Sequence, residues 1–104
     1  MNRPTRLNLL AGLMLASLAG CGRPPQLGDD KASFKAVDAL YTAVSLRNLD
    51  HLQRCESVLH DLRAKGNLTP PAADSLDAVI TEARGGQWEE AQLHLGGFMR
   101  GQRR

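Results

Sequence analysis

The chain has 104 residues, enough for one small domain, and its 13 bases and 11 acids give a formal net charge of +2. Beyond residue 21 the bases and acids are equal in number, eleven of each, so the basic excess belongs to the first 20 residues and no nucleic-acid footprint is left. Two cysteines, Cys21 and Cys55, allow at most one internal disulfide.

The first predicted element is a leader. Arg3 and Arg6 precede residues 7–20, which carry no charge and are mostly Leu, Ala, Met and Gly. A helix of that length would reach about 21 Å against roughly 30 Å of hydrocarbon, too short to span comfortably, so the segment reads as a secretory signal. It ends in Leu18-Ala19-Gly20-Cys21. These four residues resemble the bacterial lipobox, an aliphatic residue and two small residues before an obligatory cysteine, and the resemblance covers residues 1–21. It implies diacylglycerol on the Cys21 thiol, cleavage before Cys21, residues 1–20 as signal peptide, and a bacterial envelope protein held to a membrane by its lipid. With Gly22 rather than Asp after the cysteine, the sorting habit of that class in enteric bacteria implies the outer membrane, the folded part lying outside the cytoplasm. With Cys21 consumed by lipid, Cys55 has no partner in the chain, and stability must come from an apolar core.

Residues 22–29, with two prolines and two glycines and no apolar period, read as a short tether between lipidated Cys21 and a helical domain over 30–104. Helical periodicity follows four times. Phe34, Val37, Tyr41 and Val44 recur after Asp29 and Asp30 as candidate caps, with Leu40 beside them. Leu52, Cys55, Leu59 and Leu62 follow Asn48 and Asp50 and stop at Gly66; Leu76, Val79, Ile80 and Ala83 follow Thr69-Pro70, a cap and a first-turn proline, and stop at Gly85-Gly86. Trp88, Ala91, Leu95 and Phe98 make the fourth stripe, which Gly96-Gly97 should weaken near its end. The predicted fold class is all-α, a small bundle of about four helices in two antiparallel hairpins. Its expected core residues are Phe34, Val37, Tyr41, Leu52, Cys55, Leu59, Leu62, Leu76, Ile80, Trp88 and Phe98.

Two packings fit short connections, an up-down bundle or two stacked hairpins. A shift of 39 residues maps Leu40 on Val79, Val44 on Ala83, Leu49 on Trp88, Leu52 on Ala91 and Leu59 on Phe98, the pattern of a repeated hairpin and equally of any two amphipathic hairpins of similar length. Gly86-Gln87-Trp88-Glu89-Glu90-Ala91 resembles the middle of a tetratricopeptide repeat. The likeness implies hairpin geometry only, with Gly86 at the turn, Trp88 as a packing residue and Ala91 at a close contact.

Motifs for chemistry are sparse. His51 and Cys55 stand four apart, a spacing that can present two metal ligands, but two ligands make no site and Cys55 falls in the apolar stripe. His60 and His94 read as surface or edge positions, and Asp61/Lys65 and Glu56/Arg63 as solvated charge. No Cys-x-x-Cys-His, Gly-x-Ser-x-Gly, phosphate-cradling loop or His-Glu-x-x-His occurs. The expectation is a non-enzymatic chain with no catalytic or metal-ligating residues and no cofactor. Its partners are expected to be the membrane, through lipid on Cys21, and a protein at the envelope, met through an apolar patch such as Leu93, Met99 and Tyr41. The alternative is a small-ligand or metal-binding envelope protein using His51, His60 or His94. The basic tail Arg100, Arg103 and Arg104 complements a helix dipole, or touches headgroups or an acidic partner.

Overall fold

A computed structural model describes residues 24–28 and 30–103 of the chain. The lipobox-like residues Leu18, Ala19, Gly20 and Cys21 lie outside the described residues. Four helices follow one another: α1 (Lys31–Ser45), α2 (Leu49–Ala64), α3 (Pro70–Arg84) and α4 (Trp88–Arg100). Among the described residues there is no strand.

Each start has a local cause. The Asp30 carboxylate accepts from the Ala32 N–H, the Asn48 side chain from the His51 N–H at 2.9 Å, and the Thr69 hydroxyl from the Ala72 N–H at 3.3 Å, each satisfying a donor that the first helical turn leaves without a partner. Pro70 and Pro71 occupy the first turn of α3, where no N–H is needed. Gln87 precedes α4 without a side-chain cap, and Glu89 and Glu90 in its first turn complement the dipole instead. The interhelical turns share one device, a right-handed cap residue followed by a left-handed one: Arg47 (φ 51°), Gly66 (φ 78°) and Gly86 (φ 84°). In each turn the next N–H reaches back to the helix, as Asn48 does to Ala43 (3.0 Å), Asn67 to Leu62 (2.9 Å) and Gln87 to Glu82 (2.9 Å).

Of the two packings, the structure adopts the up-down bundle. Each helix lies against its chain neighbours, and α1 closes the ring against α4. The two hairpins are in one register at a shift of 39 residues: α1 and α3 have equal length, Leu49 and Trp88 both open the second helix, and Arg47 and Gly86 hold the same turn position. Asp38, Ala39 and Thr42 recur identically as Asp77, Ala78 and Thr81, and each threonine hydroxyl donates to the carbonyl of its own aspartate, at 3.2 and 3.0 Å.

The core lies along the bundle axis. Val37, Leu52, Cys55, Leu59, Leu62, Leu76, Ile80 and Phe98 are buried as expected, with Leu40, Val44, Val79 and Leu95 beside them. Phe34, Tyr41 and Trp88 depart from expectation: they are half-buried and pack against the core from outside. At the helix contacts the fully buried residues include the small side chains of Ala43, Ala72, Ala83 and Ala91. Gly96 and Gly97 do not interrupt α4, which runs through them to Arg100 with Phe98 buried just beyond. The largest departure is at the start. The segment read as a free tether contributes Leu27, 3% exposed, to the core, and Leu68 from the middle loop is buried at 2%. The packed domain thus begins before residue 30.

Candidate functional site

The bundle has two unlike ends. One gathers the described start of the chain, the loop between α2 and α3, and the end of α4. Two glutamines buckle it. Gln26 Nε2 donates to the carbonyls of Gly101 (2.9 Å) and Pro24 (3.0 Å), and Gln26 Oε1 accepts from the Arg103 N–H at 2.9 Å. In return Gln102 Nε2 donates to the carbonyls of Pro25 (2.8 Å) and Phe98 (2.9 Å), and Gln102 Oε1 accepts from the Leu27 N–H at 2.8 Å. Each carboxamide therefore uses both its donor and acceptor sides on the other segment, and two irregular pieces of chain satisfy their backbone groups without a ladder. Gly101 makes the contact possible, since a methyl group there would overlap the Pro24 ring. The loop joins in. The Thr69 hydroxyl donates to the Gln26 carbonyl at 3.4 Å, and the buried Ser33 hydroxyl lies 2.9 Å from the Asn67 carbonyl and 3.1 Å from the Asp30 carboxylate.

The opposite end is built from the two hairpin turns. Leu46 is 66% exposed and Leu49 57%. Beside them a shallow cleft of about 310 Å³ is lined by Arg47, Gly86, Gln87, Trp88, Glu89 and Glu90. Leu93, on α4, is also exposed, whereas Met99 and Tyr41 rest against the core, and the Tyr41 hydroxyl accepts from Gln92 Nε2 at 3.3 Å.

Between the ends, polar side chains stitch the seams. The α2–α3 seam holds Glu56 with Arg84, His60 with Asp77 (3.6 Å) and Glu56 (3.9 Å), and Arg63 with Asp74 (3.2 Å) and Asp77 (3.6 Å). Glu56 and Arg63, read from sequence as merely solvated, thus pair across helices, while Asp61 pairs with Lys65 at 2.9 Å within α2. Across the α3–α4 seam His94 Nδ1 lies 3.0 Å from Glu82 Oε1. His51 and Cys55 come together at a depression of about 160 Å³ on α1 and α2, with Ala36, Ala39, Arg54 and Val58. That is below the roughly 300 Å³ of ordinary small-molecule sites. Burial pushes the Cys55 thiol pKa up, opposed in part by the Arg54 guanidinium, so the sulfur is held as a protonated, poorly nucleophilic thiol. The three histidines serve different neighbours, and among the described residues no group of three or more His, Cys, Asp or Glu could hold a metal ion.

The class defined by this geometry is an up-down four-helix bundle with residues 24–28 docked on the end of its last helix. No protein family model matches the chain, and no curated protein or solved structure is similar to it. Among the described residues no helix is long and apolar enough to cross a membrane. The sequence signals for the docked start were weak. Leu27 stands alone between Gln26 and Gly28, and a glutamine that will bond a backbone 75 residues away looks like any surface glutamine.

Proposed function

We propose that this chain is a bacterial envelope lipoprotein, anchored by lipid on Cys21, whose helical bundle works as a non-catalytic interaction module. The observation that carries this reading is Leu18-Ala19-Gly20-Cys21 at the close of a basic, then apolar, leader. One chain of myristoyl length binds a membrane only marginally, so the two or three acyl chains implied by the lipobox resemblance make a lasting anchor. The docking of Pro24 on Gly101 supports it physically. An anchor at Cys21 would then hold one end of the bundle near the headgroups and turn the exposed Leu46 and Leu49 toward the periplasmic or external space, as the candidate contact for a protein partner.

The test is processing. Mass spectrometry of the membrane fraction should find a chain starting at acylated Cys21, and Cys21→Ala should accumulate as uncleaved precursor. An unacylated start at another residue would overturn the reading. Crosslinking in intact envelopes then addresses the partner: Leu46→Asp with Leu49→Asp should abolish the adducts while leaving acylation and helicity unchanged.

A further inference from the structure

We propose that the end of the bundle carrying the docked chain start is a headgroup-binding face, on which Lys31, Lys35, Arg100 and Arg103 meet anionic phospholipid so that the bundle stands end-on at the membrane. This rests on the anchor at Cys21 and adds an orientation and a lipid preference to it.

Arg47, Arg63, Lys65 and Arg84 each have an acid within ion-pair distance. Lys31, Lys35, Arg54, Arg100 and Arg103 are exposed and have none among the described residues, and of these Arg54 lies in the far half of α2. The other four belong to one end, because α1 begins where α4 finishes and the two helices are neighbours, with the Arg100 guanidinium lying back over Gly96 and Gly97 one turn from that end. Among the described residues the acids nearest that end are occupied: Asp30 caps α1, Asp61 holds Lys65 and Asp74 holds Arg63. At the other end the balance reverses, with Asp50 and Glu90 exposed and unpaired and Glu89 only 4.0 Å from Arg47.

Internal electrostatics explain Arg100, which sits in the last turn of α4, where the helix dipole favours a cation. They do not explain the lysines. Lys31 is the first residue of α1, at the positive end of its dipole, and Lys35 is one turn on at i+4, so the two also repel each other. Lys31 has the capping Asp30 carboxylate beside it, so what singles the pair out is position: two exposed like charges on one helix face at this end, whose attraction to a negative surface adds. The anchor sets the distance. Cys21 is three residues from Pro24, at most about 11 Å when extended, and Pro24 is fixed against Gly101. The end that carries the cations is therefore tied to the anchor by a span comparable to one Debye length, roughly 8–10 Å, the range over which attraction to anionic lipid persists.

The reporter is built in. Trp88 is the sole tryptophan, and it opens α4 at the far end, about 20 Å along the helix from Arg100. The full chain, processed by its host and purified from membranes, is reconstituted in vesicles of phosphatidylcholine alone or with about 30% phosphatidylglycerol, each carrying a headgroup-dansylated lipid. Energy transfer from Trp88 to dansyl should fall when phosphatidylglycerol is present, as the bundle stands up, and should recover when added salt screens the attraction. The variant K31Q/K35Q/R100Q/R103Q should keep the phosphatidylcholine value in both vesicles. Transfer independent of phosphatidylglycerol and of salt overturns the proposal whether or not the variant folds.

The mass of the same material separates the two readings. An acylated chain without lipid preference keeps the anchor and loses the headgroup face. If the chain carries no acyl group, the anchor reading falls, and sedimentation with the same vesicles decides the headgroup face. Binding should then need phosphatidylglycerol and weaken about fivefold per cation removed; binding equal on both vesicles, or absent from both, overturns it.

Discussion

Arg47 and Gly86 occupy the same position in two matching turns, yet only one of them is glycine. An L-residue with a β-carbon in the left-handed region is strained by about 1–2 kcal/mol, part of which glycine gives back through its freer unfolded chain. Arg47 stands at φ 51° with only a distant, exposed partner in Glu89. Arg47→Gly should therefore raise the stability by about 0.5–1 kcal/mol and Gly86→Ala should lower it by about 1 kcal/mol, shifts that denaturant midpoints can resolve. Cys55 supplies a pH signature. Its pKa is raised in the folded chain, so with rising pH the unfolded thiol ionises first and the unfolded state binds fewer protons. The contribution is complete below the ordinary value of 9.0 and declines as pH climbs from there toward the folded pKa. Urea melts at a series of alkaline pH values should show a steeper loss for the native chain than for Cys55→Ala, and parallel curves would contradict the burial of the thiolate-forming group.

At the scale of elements, the helices and the glutamine buckle rest on different physics. The helices follow from periodic apolar residues and caps a few residues away, which is why their positions were legible in the sequence and why Asn48, Thr69 and Gly86 stand where the reading put them. The buckle joins residues about 75 positions apart and has no period. Its value is open to measurement. Gln26 and Gln102 each satisfy partly buried backbone groups, so Gln26→Ala and Gln102→Ala should each cost about 1–2 kcal/mol. Because each holds the other's segment, a double-mutant cycle should give a coupling of at least about 0.5 kcal/mol, and strict additivity would mean that the two act independently. Leu27→Ala should cost about 2–4 kcal/mol, a loss that no free tether residue would show.

For the whole molecule, the sequence by itself determined the helical class, the number of helices, their caps and most of the axial core, because these follow from local spacing and from the need of each apolar stripe to be covered. The proposed anchor rests on Leu18-Ala19-Gly20-Cys21, a linear motif that needs no fold to be read. Three things were decided only by tertiary structure. Closing α1 against α4 selected the bundle over stacked hairpins and placed residues 24–28 beside residues 98–103. That closure drew Leu27 and Leu68 into the core and left Phe34, Tyr41 and Trp88 at its margin, while Phe98 is the one ring taken inside. It also divided the charges. A chain whose bases and acids balance beyond residue 21 keeps most of its paired ions along the seams and gathers Lys31, Lys35, Arg100 and Arg103, without described partners, at one end. Composition sums charge over the chain, whereas folding assigns each charge a place and a neighbour.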